Sequence, residues 1–246
     1  MITHKALLQQ LFFQGAYAPL RSFSLIVDTI RAIETGNTSA LTALAPSILS
    51  TPECKCKDLP DTSIHMDTEA TFAIACGDGD PLAWDLESYK AYYKTLESAS
   101  QLMAPLWGNY WLQCAEWTIR ANWRWTGPLE ARNTSHPLLV LSTRYDPVTP
   151  LPDARVVQER FASAGLLVQD SVGHCSLSSP SVCTAKHVRR YFEDEVLPEE
   201  GTTCGVDELP LIGKVESEGN TLEADDAELL VALKSLSDVF PLYGPL

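Results

Sequence analysis

The 246-residue sequence contains no apolar run near the roughly 18 residues that a membrane-spanning helix needs, so no membrane association is expected from it. Basic residues are scarce. There are 18 Lys and Arg against 32 Asp and Glu, for a net charge of −14. A surface this acidic repels phosphate backbones and anionic lipid, which argues against nucleic acid or membrane as partner. It suits a solvated acidic exterior. The opening residues, Met1 to Leu8, lack the basic-then-apolar layout and cleavage site of a signal peptide. No internal repeat is visible. The 45% hydrophobic content and the length fit a globular chain, either one domain or a core with an appendage.

Cysteine is plentiful by contrast. Cys54, Cys56, Cys76, Cys114, Cys175, Cys183 and Cys204 are widely spaced, which suits a scattered disulfide framework better than a metal knuckle; spacing alone leaves the pairing open. Asn37-Thr38-Ser39 and Asn133-Thr134-Ser135 are glycosylation sequons and fit a secretory route. The cysteines thus indicate an oxidising compartment while the N-terminus shows no leader, so localisation stays open. A chain that has lost its true N-terminus would reconcile the two.

The densest signal lies in residues 137–176. Residues 137–142 are a short apolar run that reads as a buried strand. A proline-punctuated loop follows and carries Asp146. Residues 153–164 are amphipathic, with Gly165 placed to stop a helix. Residues 166–170 read as a second strand, and Gly173-His174-Cys175-Ser176 comes next. Strand, Asp, helix, strand, His places Asp146 and His174 on neighbouring loops at one edge of a parallel sheet, where open α/β sheets bind ligands. A histidine acting as general base needs a partner that fixes its tautomer, and Asp146 is the candidate. An isolated Asp in a Pro-rich loop is also a common turn-former.

The rest of the chain reads as follows. Residues 5–13 and 20–35 are helical, the second with Phe23, Ile26, Ile30 and Ile33 at helical spacing and Gly36 as its stop. A short helix covers 38–44. Residues 71–79 re-enter a core as a strand or helix end, and 86–103 are helical. Residues 105–125 hold Trp107, Tyr110, Trp111, Trp117, Trp123 and Trp125, which read either as an aromatic substrate wall or, more simply, as a helix over 109–119 packing its large side chains into the core. Ser179-Pro180 supplies an N-cap and first-turn proline for a helix to about Glu195, with Val182, Ala185, Val188 and Phe192 as its buried stripe. Residues 214–228 read as disordered and 229–240 as a last helix.

Several segments together resemble one family. They are Cys114-Ala115-Glu116-Trp117 within an aromatic run, Tyr145-Asp146-Pro147-Val148-Thr149-Pro150, Gly173-His174-Cys175-Ser176, Cys183, and Leu197-Pro198 with Gly201-Thr202 and Cys204. These are similar to the C-terminal half of the tripeptidyl-aminopeptidase-like (TAP-like) α/β-hydrolases, peptidase family S33. The resemblance implies an α/β fold in which a short parallel sheet with flanking helices and a helical cap form part of a hydrolase. It divides the chain into a cap at 1–69, a TAP-like domain at 70–205 and an acidic tail at 206–246. It implies Asp146 as triad acid and His174 as triad base. It suggests Cys76 with Cys114, and Cys183 with Cys204, as disulfides. Peptide or small-ester substrates follow, with neither cofactor nor metal. His174, Cys175, Cys183 and His187 match no zinc spacing well. The family's nucleophile, in a Gly-x-Ser-x-Gly turn, is absent from these residues. The chain is therefore expected to be the cap and C-terminal half of a serine exopeptidase. The serine would come from a preceding segment or a separate chain. A noncatalytic peptide-binding module is the alternative.

Overall fold

The computed structural model describes residues 4–48, 68–80, 82, 85–215 and 223–239. In chain order the elements are α1 (His4–Tyr17), α2 (Pro19–Glu34), α3 (Thr38–Ile48), α4 (Thr68–Asp78), α5 (Leu86–Ala99), α6 (Ala104–Cys114), β1 (Leu139–Tyr145), α7 (Leu151–Arg160), β2 (Gly165–Val172), a 3-10 turn (Ser176–Ser178), α8 (Val182–Asp194), β3 (Thr203–Cys204), β4 (Glu208–Leu209), β5 (Gly213–Lys214) and α9 (Ala224–Val239). No helix among the described residues is long and apolar enough to cross a membrane.

Packing separates two compact units, residues 1–48 with 128–243, and residues 49–127 with 244–246. This grouping cuts across the segments 1–69, 70–205 and 206–246 expected from sequence. The first helices belong with the sheet, and Cys54 and Cys56 lie outside the described residues.

In the first unit, β1, β2 and β3 form a parallel sheet in that order, with Leu139 opposite Gly165 and Tyr145 opposite Val172. The register slips between Thr143 and Tyr145. α7 makes the crossover from β1 to β2, as parallel pairing requires. It runs two residues earlier than the expected 153–164 and ends at Arg160. Gly165 does not stop it; Gly165 opens β2, where an added Cβ would sit 3.0 Å from Leu197 Cβ. On α2 the buried positions are Pro19, Ser22, Ile26, Thr29 and Ala32, with Phe23 and Ile33 only half buried. Gly15 of α1 lets the two helices approach closely. An added Cβ on Gly15 of α1 would stand 2.7 Å from Ile26 Cδ1.

α8 is capped by Ser181, whose side chain accepts from the Thr184 amide at 3.1 Å, and not by Ser179. Its expected stripe is also shifted. Val182 and Thr184 are buried, whereas Phe192 is 79% exposed, because Tyr191 turns inward to donate its hydroxyl to the Pro137 carbonyl at 2.8 Å. The acidic stretch expected to be disordered is ordered at both ends. Gly213–Lys214 pairs with Glu208–Leu209, and α9 begins at Ala224 with Asp225 and Asp226 at its dipole-positive end. Residues 216–222 lie outside the described residues.

In the second unit, residues 71–78 resolve as part of helix α4. The expected helix over 109–119 is α6, which starts earlier and ends at Cys114. Phe72, Cys76, Tyr110 and Cys114 form the core, with Trp107, Trp111 and Trp117 packed against it. Trp123 and Trp125 face outward. Arg120 donates to the carbonyls of Cys76 and Gly79, holding the chain after α6 against the end of α4.

Candidate active site

Asp146 and His174 occupy the loops at the C-terminal ends of β1 and β2. The register slip brings these ends level. The Gly173 amide donates to the Tyr145 carbonyl at 3.2 Å, and the Thr143 hydroxyl, fully buried, donates to the Gly173 carbonyl at 2.7 Å. Gly173 has φ +102°, a backbone state that favours glycine.

His174 Nδ1 lies 3.1 Å from both Asp146 Oδ1 and Oδ2. The Asp146 side chain is 2% exposed and the His174 side chain 21%. The carboxylate is well supplied with donors. Oδ1 accepts from the amides of Val148 at 2.8 Å and Thr149 at 2.9 Å. Oδ2 accepts from the Thr149 hydroxyl at 2.9 Å and the Cys175 amide at 3.2 Å. Asp146 is thus both a turn-former, bonding its own backbone two and three residues on, and the partner of His174. The two readings coexist because a carboxylate has about four lone-pair sites.

Burial pushes the Asp146 carboxyl up, but the amides of Thr149, Val148 and Cys175 and the Thr149 hydroxyl outweigh it, and the net shift is downward from 3.8. Asp146 is therefore ionised at neutral pH and accepts only. The shared proton then resides on His174 Nδ1, which leaves Nε2 as the basic nitrogen. Among the described residues Nε2 has no hydrogen-bond partner. The Tyr17 ring meets the imidazole edge-on, with centroids 5.2 Å apart, and the Tyr17 carbonyl accepts the His174 amide at 3.2 Å.

Three of these participants were not identifiable as such from sequence. Tyr17, at the end of α1, is more than 150 residues from His174 and carries no local signal. Thr149 stands in the quoted motif without an obvious role. Gln169 is the third. It is a buried amide on β2, and its Nε2 reaches the carbonyls of Ser176 at 3.2 Å and Ser179 at 3.1 Å. Asp170 and Ser171 follow it directly, so the sequence does not single it out.

Disulfides join Cys76 to Cys114 and Cys183 to Cys204; the second ties α8 to β3. Cys175 is a free thiol with φ +63°. Among the described residues the metal-type ligand atoms that converge are those of Cys183, His187 and Cys204, two of them already joined in a disulfide; His174 and Cys175 are not part of the group. Asn37 and Asn133 are both exposed, and Asn37 Oδ1 accepts the Ala40 amide at the start of α3.

A crossover-connected parallel sheet with an acid and a histidine at its strand ends is the frame of an α/β-hydrolase. Residues 100–204 match the family described as TAP-like protein, which supports a TAP-like α/β-hydrolase region there. No curated protein and no solved structure matches the chain.

Proposed function

We propose that the chain carries the acid and base of a serine exopeptidase, Asp146 and His174, and acts on peptides with a free N-terminus or on small esters. The observation that carries this reading is the doubly close His174 Nδ1 to a buried, multiply bonded Asp146 carboxylate. In this role Asp146 holds the imidazole and stabilises the imidazolium. Nε2 takes the proton from a serine hydroxyl during attack and returns it to the leaving amine. The serine and the oxyanion donors come from outside these 246 residues, either from a preceding segment of a longer product or from a second chain. The outer edge of β1, which pairs with β2 alone among the described strands, is where an additional strand fits. An uncovered parallel edge is otherwise an aggregation hazard.

The absence of Gly-x-Ser-x-Gly favours one other reading, a peptide-binding module that kept the fold without turnover. A fluorophosphonate probe separates the two when applied to the 246-residue chain and to the longest product of its transcript. The first reading expects labelling and aminopeptidase activity in the longer product or in a complex, with kcat falling about 10⁴-fold in Asp146→Asn. Peptide binding without labelling in any product would support the module instead.

A further inference from the structure

The region matched to the hydrolase family ends at residue 204, yet the chain beyond it reaches back to the candidate site. α9 packs against α8 and against the 3-10 turn that follows His174 and Cys175. Two ion pairs seat it, Lys186 Nζ to Asp226 Oδ2 at 2.6 Å and Lys234 Nζ to Glu208 Oε2 at 2.5 Å. Near its end Ser237, buried at 7% exposure, donates its hydroxyl to the Leu177 carbonyl at 2.8 Å. Residues 205–215 support the same region. Asp207 Oδ2 accepts the Val182 amide at the start of α8 at 2.7 Å, and the Gly205 carbonyl accepts from the Ser181 hydroxyl at 2.6 Å.

The loop from Gly173 to Ser179 contains few bonds of its own. Within it the Ser178 amide bonds the Cys175 carbonyl at 3.1 Å. Among the described residues its other anchors come from elsewhere: Thr143 and the Tyr145 carbonyl on β1, the Asp146 carboxylate, the Tyr17 carbonyl, Gln169 and the Val172 carbonyl on β2, and Ser237. Of these, Ser237 alone belongs to a separately seated C-terminal element.

We propose that α9 is a brace for the candidate site, with Ser237 a positioning residue that acts on His174 through the Leu177 carbonyl. The brace rests on the reading of Asp146 and His174 as acid and base, but its test does not depend on turnover. The full 246-residue chain is labelled with nitrogen-15, and amide hydrogen exchange is followed together with the His174 ring signals. Ser237→Ala is expected to speed exchange at the Cys175 and Ser178 amides about fivefold, the effect of losing one hydrogen bond. It also shifts the His174 Nδ1–H signal, while exchange at β1 and the melting temperature hold. Ser237→Thr restores both signals. Lys186→Glu reproduces the effect and Lys186→Glu with Asp226→Lys reverses it, which decides the matter should Ser237→Ala lower the melting temperature. Unchanged Cys175 and Ser178 exchange in Ser237→Ala and Lys186→Glu, or no recovery in Ser237→Thr, overturns the brace. A missing His174 Nδ1–H signal in the unmodified chain would instead count against the acid–base reading, and the brace would then be judged on exchange alone.

Discussion

Gly173 stands against Pro19 so closely that a Cβ added to the glycine would lie 2.5 Å from the proline Cδ and 2.8 Å from Ser178 Cβ. The start of α2 and the turn before His174 are in contact because one of them has no side chain. Gly173→Ala meets both the φ of +102° and this contact, and is expected to destabilise the fold by about 3 kcal/mol. Urea unfolding measures it; a loss under about 1 kcal/mol would mean that the turn relaxes freely.

Thr149 supplies Asp146 with an amide and a hydroxyl. Because the folded-state value of Asp146 lies below its ordinary 3.8, the unfolded chain binds this proton more readily. The contribution to stability is complete above the unfolded value and is lost as pH falls through the folded one. Thr149→Val keeps the side-chain shape and removes the hydroxyl. The Asp146 midpoint, read by carbon-13 carboxyl NMR, is expected to rise, and acid unfolding to begin at a higher pH. An unmoved midpoint would remove the hydroxyl from this account.

The Cys183–Cys204 bond spans a sequence separation of 21 and Cys76–Cys114 one of 38. Loop entropy assigns them roughly 3 and 4 kcal/mol. Paired serine substitutions should lower unfolding free energies by about these amounts in denaturant melts. Peptide mapping without reductant checks the connectivity directly, since any fragment that crosses the two pairs contradicts it.

Burial pushes the Cys175 thiol above its ordinary 9.0; the Leu177 amide pulls it down, and the Asp146 charge pushes it up. The thiolate is the reactive form. Iodoacetamide labelling of Cys175 at pH 8, followed by peptide mapping, should therefore run slower than that of free glutathione, and Asp146→Asn should speed it. Labelling as fast as the free thiol would show that the side chain is open to water and its thiolate unhindered.

Local signals in the sequence carried far in the segment from β1 to β2. Apolar runs, a proline loop and a glycine before a histidine are short-range instructions, and the strand–helix–strand order with Asp146 and His174 at the strand ends was legible from them. So was the helical character of residues 5–13 and 20–35, the second from its spacing. Element edges were less legible. Gly165 reads as a helix stop, but its role is to admit Leu197. Phe192 reads as part of a buried stripe, but Tyr191 takes the inward position. Both errors arise because a packing partner distant in sequence overrides a local preference.

By itself the sequence determined that two strands would lie parallel, since a helix-length crossover leaves that arrangement, and that an acid and a histidine would follow them. It also determined a charge balance unsuited to phosphate. Tertiary structure alone decided that Asp146 is desolvated and bonded by His174 and the Cys175 amide, that Tyr17 lies against the imidazole, and that a helix beyond the hydrolase region holds the loop after it. These depend on contacts between segments dozens to more than a hundred residues apart. No window of sequence contains both partners of such a contact, and its energy exists only once the chain has closed.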